Sequence, residues 1–144
     1  VISSPIDYNI LKKLLYENTG PERNTSTHIL IIEDQRSNQL VLETYLKNMN
    51  YKNIDIANNG SEGVLKVIEN QKRYDLILTD IMMPVMNGID ATRKIMKIDN
   101  KNVIVGISAD ITATAETCID AGLKELIVKP VNYKVFKTMC EQYI

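Results

Sequence analysis

The sequence predicts an α/β domain, doubly wound on a five-stranded parallel sheet. Three observations predict it. From His28 onward, short apolar runs alternate five times with segments of helical period, joined by short links. The runs are apolar throughout instead of alternating, as in strands covered on both faces. Several of them end in a charged or hydroxyl residue, at the edge where open α/β sheets keep their ligand sites.

The elements follow in order. Residues 5–18 read as a short amphipathic helix, with Ser4 as cap, Pro5 in the first turn and Gly20 just past the end. Its apolar positions are Ile6, Ile10, Leu11, Leu14 and Leu15. The polar run from Thr19 to Thr27 lacks periodicity and reads as a linker. The chain therefore divides into an N-terminal helix and linker over 1–27 and one domain over 28–144. In that domain Ile29-Leu30-Ile31-Ile32 is the first strand, followed by Glu33-Asp34. A helix over roughly 36–49 presents Leu42, Tyr45, Leu46 and Met49 on one face. Ile54 to Ala57 is a shorter strand, and Asn58-Asn59-Gly60-Ser61 caps a helix to about residue 71 with Val64, Leu65 and Ile68 inward.

The third strand, Leu76-Ile77-Leu78-Thr79-Asp80, stops near Pro84, which cannot donate to a ladder and disfavours helix in the residue before it. Asn87-Gly88 opens a helix carrying Ile89, Ala91, Ile95 and Met96. Residues 103–108 form the fourth strand, and a helix from about 112 to Ala121 is closed by Gly122. Leu126-Ile127-Val128 is the fifth strand, before a last helix over 132–143.

Composition narrows the function. A chain of 144 residues with 44% hydrophobic and 24% charged residues suits one domain with a real core. A net charge of −1 argues against a nucleic-acid surface, which needs a basic excess, and the absence of Trp argues against a stacking platform. No apolar run approaches the roughly 18–20 residues that span a bilayer, so no direct membrane contact is expected. The start has neither a basic region nor an apolar core of a signal peptide. Cys118 and Cys140 lack metal spacing and read as reduced packing residues of a cytoplasmic protein, with a disulfide the weaker alternative.

Right-handed crossovers put every strand's carboxyl end on one edge, which collects Glu33, Asp34, Asp80, Ser108 and Lys129. Three carboxylates in a small cleft need a cation or a raised pKa. All-oxygen ligands favour a hard ion such as Mg²⁺. Lys129 supplies a point charge suited to a phosphate, and Ser108 a donor. Together they suit phosphoryl transfer to a carboxylate nucleophile, Asp80.

These residues resemble a family. Ile31-Ile32-Glu33-Asp34-Gln35, the loop from Leu78-Thr79-Asp80 to Asn87-Gly88, Ile107-Ser108-Ala109 and Val128-Lys129-Pro130 look like the four signatures of receiver domains of two-component signalling. The resemblance covers about four-fifths of the chain. Asn38, four past Asp34, and the Met-Met-Pro-Val-Met turn lean towards the C-terminal receivers of hybrid sensor histidine kinases. The resemblance implies a flavodoxin-like (βα)5 fold. It implies that Asp80 takes a phosphoryl group from a phosphohistidine on a histidine kinase domain or a histidine-containing phosphotransfer protein. Asp34, Asp80 and the Met82 carbonyl would bind Mg²⁺, with Glu33 acting through a water. Lys129 would hold the phosphoryl group, Ser108 would move in to bond it, and the Lys129–Pro130 bond would be cis. Such a module turns over no external metabolite and works in the cytoplasm, as a free protein or as the cytosolic part of a membrane-anchored kinase. Weak homodimerisation stays open.

One departure is Leu126, where such receivers often carry an aromatic three residues before the lysine. Movement of the loop after Ser108, without a rotating aromatic, is then the expected switch. The segment from Ser4-Pro5 to Leu14 parallels that from Lys129-Pro130 to Met139, agreeing at Pro, Tyr and Lys. Residues 1–18 read either as the tail of a preceding receiver-like domain or as a generic linker helix.

Two rivals are weaker. A small Mg²⁺-dependent phosphohydrolase with an aspartyl-phosphate intermediate would resemble the haloacid dehalogenases, whose general acid-base stands two residues after the nucleophile. Here that position is Met82, which moves no proton. A flavin mononucleotide carrier would want a Ser/Thr/Gly-rich loop after the first strand, where Glu33-Asp34-Gln35-Arg36 would repel a phosphate. His28 precedes a strand and is not expected to donate a phosphoryl group. Asp55, Asp75, Asp90, Asp99, Asp110 and Asp120 read as solvated residues.

Overall fold

The structure is a computed structural model, and it describes residues 26–71, 73–109 and 115–144. Its elements alternate throughout: β1 (His28–Ile32), α1 (Arg36–Asn48), β2 (Asn53–Ala57), α2 (Gly60–Glu69), β3 (Leu76–Asp80), α3 (Gly88–Ile98), β4 (Ile104–Ser108), α4 (Ala115–Ala121), β5 (Glu125–Val128) and α5 (Tyr133–Tyr143). The predicted helix over 5–18, its likeness to the last helix, and the predicted start of α4 near 112 lie outside the described residues.

All five strands are parallel, in the order β2-β1-β3-β4-β5. Alternate side chains of the central strands feed two cores. Ile29 and Ile31 of β1 join Leu42, Tyr45, Leu46, Phe136, Met139 and Cys140 beneath α1 and α5. Leu30 and Ile32 join Ala57, Ile77, Ile95, Cys118 and Leu123 on the other face. The two cysteines are free, buried and in different cores, so the sheet separates them and excludes a disulfide. Burial, with the nearby charge of Glu141, pushes the Cys140 thiol up to about 12. Phe136 is fully buried, and a side chain of that size contributes about 1.5–3 kcal/mol. It packs on Tyr45, whose hydroxyl donates to the Val131 carbonyl at 3.1 Å, while Asn48 donates to the Tyr133 hydroxyl at 2.7 Å. These contacts tie α1 to α5.

Local signals set the helix ends. Asn59, Asn87 and Asn132 cap α2, α3 and α5 by accepting from backbone N–H groups two or three residues on. Asn50, at φ 68°, takes the left-handed turn after α1, and Gly122, at φ 119°, does so after α4.

The inward face of α2 differs from the prediction. Leu65 and Ile68 point to solvent at 52% and 60% exposure. Gly60 and Gly63 are the buried positions instead, and a Cβ on Gly63 would collide with Ile32. Gly63 draws the helix backbone onto Ile32 of the sheet and Gly60 onto Met86 and Ala91. This keeps Val64 inward as predicted, turns the contact stripe towards 60, 63, 64 and 67 and leaves 65 and 68 outside.

Candidate functional site

The carboxyl edge of the sheet brings the predicted residues together. Asp80 ends β3 and is 7% exposed; its neighbour across the ladder is Ile107, one residue before the buried Ser108. Ser108 pairs in turn with Val128, and its carbonyl accepts from the Lys129 N–H at 2.8 Å. That places Lys129 over the strand ends, and the Lys129–Pro130 peptide is cis as expected. Glu33 and Asp34 leave β1, the other neighbour of β3.

The chain after Asp80 folds back sharply. The Gly88 N–H donates to the Ile81 carbonyl at 2.9 Å, and a Cβ on Gly88 would collide with the Asp80 carbonyl. Only glycine lets α3 start against the end of β3. Val85 in the intervening loop sits at φ 70° with its side chain 83% exposed, a costly conformation for a β-branched residue. Met82 is also exposed, and its N–H donates to Asp80 Oδ1 at 3.3 Å.

Lys129 Nζ lies 3.1 Å from Asp80 Oδ2 and 3.2 Å from Glu33 Oε1. Burial works against its ammonium most strongly, but the charges and hydrogen bonds of Asp80 and Glu33 outweigh it and hold the pKa above the ordinary lysine value. Glu33 is pushed up to about 7. Burial is the main cause, followed by its hydrogen bond with Asp34; the charge of Asp80 adds to both, against the Gln35 N–H and Lys129. Oxygens of Glu33, Asp34 and Asp80 lie within 4.8 Å of one another. One lysine therefore faces three acids. A carboxylate-only donor set with residual negative charge fits a hard divalent cation.

Two polar networks escaped the sequence reading, one at this edge and one at the other. Gln39 of α1 is 4% exposed, and its Nε2 donates to the Glu33 carbonyl at 2.7 Å and to Asn58 Oδ1 at 2.9 Å. Its place on the stripe 39, 42, 46, otherwise apolar, was the available signal. At the opposite edge, Asp55 is no simple solvated acid. It accepts from the Tyr74 hydroxyl at 2.6 Å and lies 2.9 Å from His28 Nε2. Burial and then Asp55 push the Tyr74 phenol up. His28, at the start of β1, stands an entire strand away from Asp80.

Comparison with known proteins agrees with this geometry. The family described as "Response regulator receiver domain" matches residues 29–141. Two-component system protein A of Emericella nidulans is 36% identical over 106 residues, covering 73% of this chain but only 16% of its own length. Chemotaxis protein CheY of Thermotoga maritima is 39% identical over 103 residues, covering 71% of this chain and 84% of its own. Among solved structures, the receiver domain of a sensor histidine kinase from Pseudomonas aeruginosa PAO1, with magnesium in its active-site cleft, superposes with a TM-score of 0.74. It is 28% identical, and the match covers 81% of this chain and 96% of that one. Response regulator TrrA of Thermotoga maritima, in complex with Mg²⁺ and BeF, also scores 0.74 at 26% identity, over 82% and 99% of the two chains. Among the described residues no helix is long and apolar enough to cross a membrane. With the five-stranded sheet, the acid cluster and its lysine, and a family match over most of its length, this chain belongs to the response regulator receiver domains of two-component signalling.

Proposed function

We propose that the chain is a phospho-acceptor module of a phosphorelay, working in the cytoplasm and cut from a hybrid sensor histidine kinase. Asp80 is the acceptor. One carboxylate oxygen attacks the phosphorus of a phosphohistidine on a histidine kinase domain or histidine-containing phosphotransfer protein. The P–N bond breaks, its electron pair returns to the imidazole, and an acyl phosphate remains on Asp80.

Asp34 and Asp80, with the Met82 carbonyl, would hold Mg²⁺, and Glu33 would act through a water. When bound, the ion supplies charge neutralisation for the phosphoryl oxygens. Lys129 passes from the Asp80 carboxylate to a phosphoryl oxygen, keeping a counter-charge beside the group throughout. Ser108 donates its hydroxyl to the new anion; the loop expected to move after it lies largely outside the described residues. The observation that carries this reading is the Lys129 ammonium at 3.1 Å from Asp80 Oδ2, at the carboxyl end of a buried strand. The magnesium-bearing receivers among the structural neighbours support the choice of ion. The hydrolase alternative lacks a proton carrier, since Met82 stands where its acid-base would be.

Intact-mass spectrometry after incubation with phosphoramidate and Mg²⁺ tests the reading. Wild type gains one phosphoryl group, Asp80→Asn gains none, and a chelator abolishes the gain in wild type. Equal labelling of Asp80→Asn would overturn the assignment.

A further inference from the structure

We propose that Gln39 is a positioning residue for the acidic pair, setting the affinity of the site for its divalent cation through a chain of hydrogen bonds that ends on α2. This rests on the assignment of Glu33, Asp34 and Asp80 as the cation site.

The ladder leaves the turn after β1 half secured. The Glu33 N–H donates to the Ala57 carbonyl at 3.0 Å, but β1 ends there. The Glu33 carbonyl is taken up by a side chain, Gln39 Nε2, at 2.7 Å. That amide carries two protons, and the second goes to Asn58 Oδ1 at 2.9 Å. Asn58 passes the link on, its Nδ2 and N–H donating to Glu62 Oε1 at 3.2 and 3.3 Å. Glu62 is held in the first turn of α2 by the Asn59 cap. On its acceptor side, Gln39 Oε1 faces Arg36 at 3.4 Å. One buried side chain thus joins the turn after β1, helix α1 and the turn after β2.

The acids need such a brace. Glu33, Asp34 and Asp80 bring three carboxylates within 4.8 Å, and charge repulsion among them works to spread them, offset in part by Lys129 between Glu33 and Asp80. Asp80 is fixed by its strand, so the turn after β1 is the part that would yield. Anchoring the Glu33 carbonyl holds the backbone from which both acids project. It does so through the backbone carbonyl, without adding a further donor to the carboxylate oxygens. Supporting hydrogen bonds behind metal ligands are typically worth 10–100-fold in affinity.

The test is Mg²⁺ binding by isothermal titration to the unphosphorylated chain, with urea stability measured alongside. Gln39→Met keeps the length and packing and removes both donors. Its Mg²⁺ dissociation constant should rise about tenfold. Leu46→Val, a core change near the far end of α1, should lower stability and leave the constant within twofold of wild type. That contrast separates positioning from general loosening. Asn58→Ala, which removes only the outer link, should raise the constant by a smaller factor of about two to five, and it carries the test if Gln39→Met does not fold. Constants within twofold of wild type in folded Gln39→Met, or in Asn58→Ala where it alone folds, would overturn the proposal. A wild-type chain that binds no Mg²⁺ at millimolar concentration would remove the cation site itself, and the proposal with it.

Discussion

Glu33→Gln should stabilise the metal-free protein, and only above mildly acidic pH. Glu33 is 2% exposed, and its carboxyl is raised from an ordinary 4.5 to about 7, chiefly by burial and then by its bond with Asp34. A raised carboxyl means that the folded state binds more protons than the unfolded one between those values. Stability then falls as pH rises through that window. Below 4.5 both states are protonated and no penalty exists; above 7 both are charged and the penalty is complete. At 1.36 kcal/mol per pH unit, the full effect is about 3 kcal/mol.

Glutamine mimics the protonated carboxyl and escapes this penalty, a net figure in which the attraction of Lys129 is already counted. Urea unfolding in a chelating buffer, followed by circular dichroism, measures it. With a slope of about 2 kcal/mol per molar urea, the midpoint of Glu33→Gln should lie about 1.5 M above wild type at pH 8.5. The gap should close towards pH 4.5. A constant difference across pH, or a variant less stable than wild type at pH 8.5, would refute the burial argument.

Two further substitutions probe the same edge. Lys129→Ala leaves three acids without their counter-charge, so labelling by phosphoramidate should slow about 100-fold while circular dichroism stays native. A wild-type rate would remove Lys129 from the chemistry. Val85→Asn relieves a β-branched residue of its left-handed backbone at φ 70° and loses little packing at 83% exposure. Urea unfolding should show a gain of about 1 kcal/mol, and an unchanged or lower midpoint would mean that the loop stores no strain there.

Much of this was legible before any coordinates. Strand and helix periods are local properties, so five apolar runs and five amphipathic segments announce the fold, and Asn59, Asn87 and Asn132 mark helix starts that the structure keeps. Right-handed crossover then dictates that Glu33, Asp34, Asp80, Ser108 and Lys129 share an edge. The third strand with Asp80 at its end, its stop before Pro84 and the position of Lys129 were all readable from the chain.

What periodicity could not carry was which neighbour each side chain meets. Leu65 and Ile68 look inward on a helical wheel, yet two glycines turn α2 so that they face solvent. Glu33 and Asp34 are adjacent in sequence, but only the fold buries the first and half-exposes the second, and burial is what moves the Glu33 pKa. Asp55 resembled any surface acid until β1 and the segment before β3 brought His28 and Tyr74 to it. Gln39 spells out no motif, because its partners, Glu33 and Asn58, come from two other loops. The sequence by itself determined the strands, their order of appearance and the chemistry at their ends. The tertiary structure decided distances, burial and the bracing of the acids, because those depend on residues far apart in the chain meeting across a packed sheet.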